Sequence, residues 1–304
     1  MPTRVVIGTR ASALALWQAN WVKEELESLH PGLAVLLQTI HTRGDKLLDA
    51  HLARIGGKGL FVTEIELALA RGEIDLAVHS LKDLPTEQPA GLTIAAVPPR
   101  EDARDALVSR HGLRLADLPV GATIGTSSLR RSAQLLAFRP DFIIANLRGN
   151  LDTRLRKAAT DYDGVVLAVA GLRRLNAVDR VVEVLSTDVC LPAVGQGALA
   201  IETRADDDAV RALVAPLEDP DTRAAVTAER ALLHRLGGGC HVPVGAYAAV
   251  TGNELALAAV VAHASGQPLL RADGRASLQD AASLGEKVAE QLLAKGAAAL
   301  LGGN

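Results

Sequence analysis

Five arginines fall where an anionic ligand would need them. Arg10 follows the run Val5-Val6-Ile7-Gly8-Thr9, and Arg130 and Arg131 follow Gly125-Thr126-Ser127-Ser128-Leu129. Arg148 lies in Leu147-Arg148-Gly149-Asn150, with Arg154 shortly after it. Each stands where a short apolar run gives way to a helical pattern. In open parallel sheets, ligands bind beyond the carboxyl ends of the strands. Hydroxylated residues such as Ser12, Thr126, Ser127 and Ser128 open helices whose N–H groups point at an anion there. A guanidinium adds two-pronged carboxylate recognition. Any one of these arginines is equally well a solvated first-turn residue, but the set predicts a ligand with several carboxylates or phosphates.

A second constellation is His79-Ser80-Leu81-Lys82-Asp83-Leu84-Pro85. It puts a carboxylate and an amine just past a continuous apolar run, in a loop closed by proline. Asp83 could serve as an acid–base group or stabilise a cation, although Lys-Asp ahead of Pro is also an ordinary turn. Gly56-Gly57-Lys58-Gly59 resembles a phosphate loop but fails the spacing GxxxxGK[ST], which leaves a lid or an anion contact through Lys58. Gly195-Gln196-Gly197-Ala198-Leu199-Ala200 fits the dinucleotide fingerprint, yet the residues after it alternate like a strand, so no nicotinamide cofactor is expected. Cys240 sits on a glycine loop, Gly237-Gly238-Gly239-Cys240-His241, and is the accessible thiol of the two. Its neighbour His241 tempts a nucleophile–base reading, but adjacent side chains seldom aim at each other. Cys190, before Leu191-Pro192, reads as buried and inert. The eight histidines show no HExxH pattern, and no metal site is expected.

The elements that must position these groups alternate. Strands are predicted over 5–8, 35–40, 74–78 and 92–97, with helices over 13–29 and 61–70, the first presenting Leu14, Trp17, Trp21 and Leu29. After Pro98-Pro99 the pattern repeats, with strands over 123–125, 142–147 and 165–169 and helices over 129–138 and 151–159. Ile7-Gly8-Thr9 recurs as Ile124-Gly125-Thr126, each followed by serine. The repetition predicts two similar α/β domains with mainly parallel sheets and ligand between them. A strand over 198–203 returns to the first domain. A helix over 222–236, strands over 244–250, 254–261 and 269–275, and a helix over 279–293 make a smaller α+β domain. The expected division is 1–98 with 198–216, then 99–197, then 217–304.

Composition narrows the function. The chain has 304 residues with 32 Lys+Arg against 35 Asp+Glu, a net charge of −3, which argues against a nucleic-acid binder or a polybasic membrane binder. Aromatics make only 2%, too few for base-stacking platforms. No apolar run reaches the ~18 residues of a membrane span. Arg10 and Ser12 interrupt the stretch where an export signal needs apolar residues. With two cysteines and no framework spacing, a reduced cytoplasmic protein is expected.

Assembled in order, the motifs resemble the porphobilinogen deaminase family. The matching stretches are Ile7-Gly8-Thr9-Arg10-Ala11-Ser12, Thr42-Arg43-Gly44-Asp45, Gly56-Gly57-Lys58-Gly59-Leu60-Phe61 and His79-Ser80-Leu81-Lys82-Asp83. They continue through Gly125-Thr126-Ser127-Ser128-Leu129-Arg130-Arg131, Leu147-Arg148-Gly149-Asn150, Leu191-Pro192-Ala193-Val194-Gly195-Gln196-Gly197 and Gly238-Gly239-Cys240. The resemblance implies two periplasmic-binding-protein-like domains plus a third that carries a cofactor. It implies a transferase, hydroxymethylbilane synthase, that condenses four porphobilinogens head to tail and releases ammonia. The implied cofactor is a dipyrromethane joined by a thioether to Cys240.

The resemblance also implies roles. Asp83 is the catalytic carboxylate, stabilising the cations formed when ammonia leaves and the pyrroles join. Lys82, Ser12, Thr126, Ser127, Ser128, Arg130, Arg131, Arg148 and Gly149 hold the cofactor. Arg10, Arg154, Arg174 and Gln196 hold substrate and the growing oligopyrrole chain, and Lys58 and Phe61 belong to a lid. Arg54 and His241 depart from residues common in the family, and neither is given a role. A cytoplasmic monomer that binds neither nucleic acid nor membrane is expected. The competing reading is a two-domain anion-binding protein without catalysis, which leaves Asp83 and Cys240 unexplained.

Overall fold

The computed structural model describes residues 2–42, 44, 62–237 and 242–301. In chain order its strands are β1 (Arg4–Thr9), β2 (Ala34–Thr39), β3 (Leu76–Ser80), β4 (Leu92–Ala96), β5 (Asp105–Ser109), β6 (Thr123–Gly125) and β7 (Ile143–Ala145). They continue with β8 (Gly164–Ala168), β9 (Glu183–Val184), β10 (Leu199–Arg204), β11 (Val244–Thr251), β12 (Glu254–Ala262) and β13 (Leu269–Ser277). The chain divides into two compact units, Met1–Arg100 with Ala198–Arg223, and Glu101–Gly197 with Ala224–Asn304.

The first unit holds a five-stranded sheet in the order β2-β1-β3-β10-β4. β1 runs parallel to β2 and β3, while β10 is antiparallel to both β3 and β4. Helix Ala13–Leu29 begins at Ser12, whose side chain accepts from Ala15 N and satisfies one of the first-turn donors. Its buried residues are Gln18, Ala19, Val22 and Leu26, and of the apolar residues read from the sequence Trp21 packs against the same core and Leu14 lines a cavity. Trp17 and Leu29 are 37% and 45% exposed. Gln18 turns inward because its amide donates to Ser80 Oγ at 2.9 Å, a partner distant in sequence. Val5, Ile7, Leu26, Val35, Leu76, Val78, Ile201 and Leu213 form one core. Ile65, Leu69, Ile74 and Ala77 form another under helix Thr63–Ala70. Full burial of each such aliphatic side chain is worth about 1.5–3 kcal/mol.

The second unit repeats the arrangement with a five-stranded sheet, β7-β6-β8-β5-β9. β6 is parallel to β7 and β8, and β5 is antiparallel to β8 and β9. The recurring Ile-Gly-Thr therefore marks the same place in both sheets, the end of the second strand in spatial order. Strands β5 and β9 have no counterpart in the sequence reading, and the apolar run 165–172 divides into β8 and helix Val169–Arg174. The same unit contains the three-stranded antiparallel sheet β11-β12-β13. That sheet packs with helices Pro220–Arg235 and Ala281–Ala294 through Leu232, Leu255, Leu257, Val261, Leu284, Val288 and Leu292. Two α/β sheet domains and a smaller α+β C-terminal domain are thus the architecture of the chain.

Candidate functional site

In the first unit, β3 starts two residues later than predicted and so carries His79 and Ser80 at its end. A short turn, Leu81–Asp83, follows directly. Leu81 N donates to Ala198 O at 3.0 Å, and Leu81 itself is buried, so the turn is pinned while Asp83 is exposed. No described residue hydrogen-bonds the Asp83 carboxylate. Arg10, Ser12, Gln18, His79, Ser80 and Asp83 line one small cavity with an apolar side of Val62, Ile65 and Val78. This brings three predicted residues together: Arg10, half-buried after β1, Ser12 at the helix start, and Asp83. Lys82 is half-buried beside Asp83.

In the second unit, the corner after β6 is built by local hydroxyl bonds. Thr126 N donates to Ala145 O at 2.9 Å, and Thr126 Oγ1 accepts from Ser128 N at 3.2 Å. The Ser127 hydroxyl bonds Asn146 Oδ1 and donates to Leu147 O at 2.6 Å. Ser128 caps helix Leu129–Phe138 by accepting from Arg131 N. Gly149 has φ +112, a conformation that favours glycine, and a Cβ there would lie 2.7 Å from Thr153. Arg154 Nε donates to Gly149 O at 2.8 Å, and Arg148 is half-buried beside that glycine.

Arg130 and Arg131 are buried around a residue that sequence reasoning missed, Asp105 at the start of β5. Arg130 Nη1 donates to Asp105 Oδ2 at 2.7 Å and to Leu191 O at 2.6 Å. Arg131 donates to Asp105 Oδ1 through Nη2 at 2.6 Å and Nε at 3.1 Å, and its Nη1 donates to Val166 O at 3.0 Å. Gln196 Nε2 donates to Asp105 Oδ1 at 2.8 Å and to Ala103 O at 2.6 Å. Burial alone would push the Asp105 carboxyl up, but the two guanidiniums hold it well below the usual carboxylate range. The only signal in the sequence was an acidic residue opening the apolar run Ala106-Leu107-Val108.

The remaining residues also have defined surroundings. Arg174 is buried, donates from Nη2 to Gly197 O at 2.8 Å, and is lowered by burial to about 10. Gly197 has φ +90, and a Cβ there would clash with the backbone oxygen of Glu101, so this glycine serves a close backbone approach. Cys190 is fully buried, and burial followed by the Asp105 charge pushes its thiol up to about 12, which makes it unreactive. Glu229, also missed, is fully buried and accepts from Gly195 N at 2.7 Å and Ala248 N at 2.8 Å. Cys240, Lys58 and Phe61 lie outside the described residues.

Strand-end arginines, serine-capped helix starts and an exposed carboxylate in a pinned turn are what this α/β chain places at the ends of its strands. A family model described as porphobilinogen deaminase, dipyromethane cofactor binding domain, matches residues 5–212, and one described as porphobilinogen deaminase, C-terminal domain, matches residues 223–294. The porphobilinogen deaminase of Syntrophotalea carbinolica is 56% identical over 296 residues, covering 97% of this chain and 94% of that protein. That of Roseiflexus castenholzii is 53% identical over 304 residues, covering 100% of each. Among solved structures, the methionine binding protein MetQ aligns with a TM-score of 0.45 at 15% identity, covering 71% of this chain and 90% of that chain. The chain belongs to the porphobilinogen deaminase family.

Proposed function

We propose that the chain is a hydroxymethylbilane synthase, a transferase that joins four porphobilinogen molecules head to tail and releases ammonia at each condensation. The observation that carries this reading is the exposed Asp83 carboxylate, fixed by the Leu81–Asp83 turn in the same cavity as Arg10 and Ser12. Each porphobilinogen carries an acetate and a propionate, so a lengthening chain accumulates carboxylates, and guanidinium and hydroxyl donors are the groups that match them. Arg10, Arg154, Arg174 and Gln196 are assigned to substrate and the oligopyrrole. Asp83 sets a fixed negative charge against the cations that form as ammonia leaves and holds the proton given up when two pyrroles join.

The donor set also fits a dipyrromethane group, whose carboxylates call for cations and N–H donors. Lys82, Ser12, Thr126, Ser127, Ser128, Arg130, Arg131, Arg148 and Gly149 would hold it, with a thioether to Cys240 as the attachment. When bound, the group supplies a primer on whose free end the chain grows. Because Arg130 and Arg131 already share Asp105, their guanidiniums are oriented before any ligand arrives. Lys58 and Phe61 are assigned to a lid, and the division 1–98 with 198–216, 99–197 and 217–304 to three domains. We further propose a cytoplasmic monomer. A binding protein without catalysis is the less favoured reading, since it leaves Asp83 without a role.

The test is ammonia release from porphobilinogen by the purified protein, with one tetrapyrrole formed per four substrates. Binding without ammonia release would favour the non-catalytic reading.

A further inference from the structure

The first unit buries a cluster that the proposed chemistry leaves unused. Glu202 on β10 is fully buried, and His79 on β3 and Glu66 on helix Thr63–Ala70 are at least nine-tenths buried. His79 Nε2 lies 3.0 Å from Glu202 Oε2. Glu202 Oε1 and Glu66 Oε1 meet no hydrogen-bond partner among the described residues. An unsatisfied buried polar group is destabilising, and this cluster holds two of them. Burial, followed by the Glu202 charge, raises the Glu66 carboxyl above its ordinary value, with His79 opposing.

The cluster stands at the strand end that delivers Asp83. His79 pairs with Ala200 and Ser80 with Leu199 across β3 and β10, and the turn Leu81–Asp83 follows at once. Gln18 holds Ser80 from the helix side. The His79–Glu202 contact ties β3 to β10 at this end, and His79 lines the same cavity as Asp83.

We propose that Glu202 is a positioning residue for Asp83: it clamps His79 and so fixes the end of β3, and Glu66 behind it makes the clamp sensitive to pH. The inference rests on the reading of Asp83 as the catalytic carboxylate. While Glu66 is neutral, the Glu202 charge is directed at His79. When Glu66 ionises, two like charges share a low-dielectric site and the clamp loosens. Helix Thr63–Ala70 packs on β1, β3 and β10. The charged or titratable residues on these elements are Glu64 on the helix itself, Arg4 on β1, His79 on β3, and Glu202 and Arg204 on β10, with Arg10 and Asp83 on the cavity side. Of these, Glu202 and His79 act on Glu66. Arg204 is engaged with Leu69 O, Ile74 O and Asp207.

The experiment is steady-state kinetics of the cofactor-loaded enzyme across pH for wild type, Glu202→Gln, Glu66→Gln and Glu66→Asp, with bound cofactor measured by intact mass. Glu202→Gln is expected to lower kcat by about tenfold or more while KM stays within about twofold and cofactor mass is unchanged. Glu66→Gln, shaped like the protonated acid, is expected to remove a limb of the kcat profile lying above the ordinary carboxylate range. Glu66→Asp is expected to keep one. A Glu66→Gln profile superimposable on wild type overturns the proposal, as does folded Glu202→Gln with wild-type kcat. If Glu202→Gln does not fold, the Glu66 profiles decide. Wild-type enzyme that releases no ammonia defeats the reading of Asp83 and this proposal with it.

Discussion

The two five-stranded sheets place a buried carboxylate on equivalent strands and treat it in opposite ways. In each sheet the fourth strand in spatial order is antiparallel to its neighbours: β10 in the first unit, β5 in the second. Glu202 on β10 and Asp105 on β5 are both 0% exposed. Asp105 receives Arg130, Arg131 and Gln196 on its two oxygens and stays ionised far below the usual range. Glu202 has one imidazole and a second carboxyl, Glu66, which is raised. Equivalent fold positions therefore do not give a buried acid the same partners: two guanidiniums meet Asp105, and one imidazole meets Glu202.

The largest effect in this comparison is expected at Asp105. Asp105→Asn leaves two buried guanidiniums without a counter-charge, which should destabilise the protein by about 3–5 kcal/mol in denaturant melts. The Asp105 contribution is present above its unfolded pKa of about 3.9 and is lost only as pH falls towards the far lower folded value, so it is constant across neutral pH. A loss under about 1 kcal/mol would show that the arginines find other partners.

Asp83→Asn separates chemistry from packing. The side chain is exposed, so thermal stability should hold, while turnover should fall by about 10²–10⁴-fold, the range for a positioned acid–base group. Single-turnover rates near wild type would sink the assignment.

Substitutions in the arginine set should divide along the same line. Arg10→Leu or Arg154→Leu should leave a loaded enzyme that stalls, seen as discrete charged species on anion exchange. Arg130→Leu or Arg131→Leu should block cofactor loading and also cost stability, because each strips Asp105 of a partner. One shared profile for all four variants would contradict the division.

These contrasts mark what the sequence could and could not reveal. The corners at Ser12 and Ser128 were legible because a helix cap is a local bond, three residues long. Asp83 was legible because its turn follows directly on a buried strand. Asp105 was not, since its partners lie 25 and 26 residues away on a helix that the sequence alone does not orient. Strand β9, two residues long, carries too little periodicity to read. Helix Ala13–Leu29 was legible as a helix, but the burial of Gln18 was not, because it is held by Ser80, a tertiary contact that hydrophobicity does not encode.

The smallest expected effect is in Glu66→Gln. A raised carboxyl makes the wild-type protein lose stability as pH climbs from the unfolded carboxylate pKa, about 4.3, to the folded one, after which the loss is complete. The variant lacks this loss, so its melting temperature relative to wild type should rise over that window and then level off. Parallel curves would place Glu66 outside the titrating set.

The central claim, an enzyme that grows a pyrrole chain on a covalently held primer, is tested most directly by intact mass. Native protein treated with thiol reductant should exceed the mass of its sequence by two pyrrole units, mapped to Cys240, and should gain further pyrrole steps on brief exposure to porphobilinogen. Cys240→Ser should show neither. A native protein at its sequence mass that gains nothing from porphobilinogen, or an adduct found on Cys190, would contradict the account.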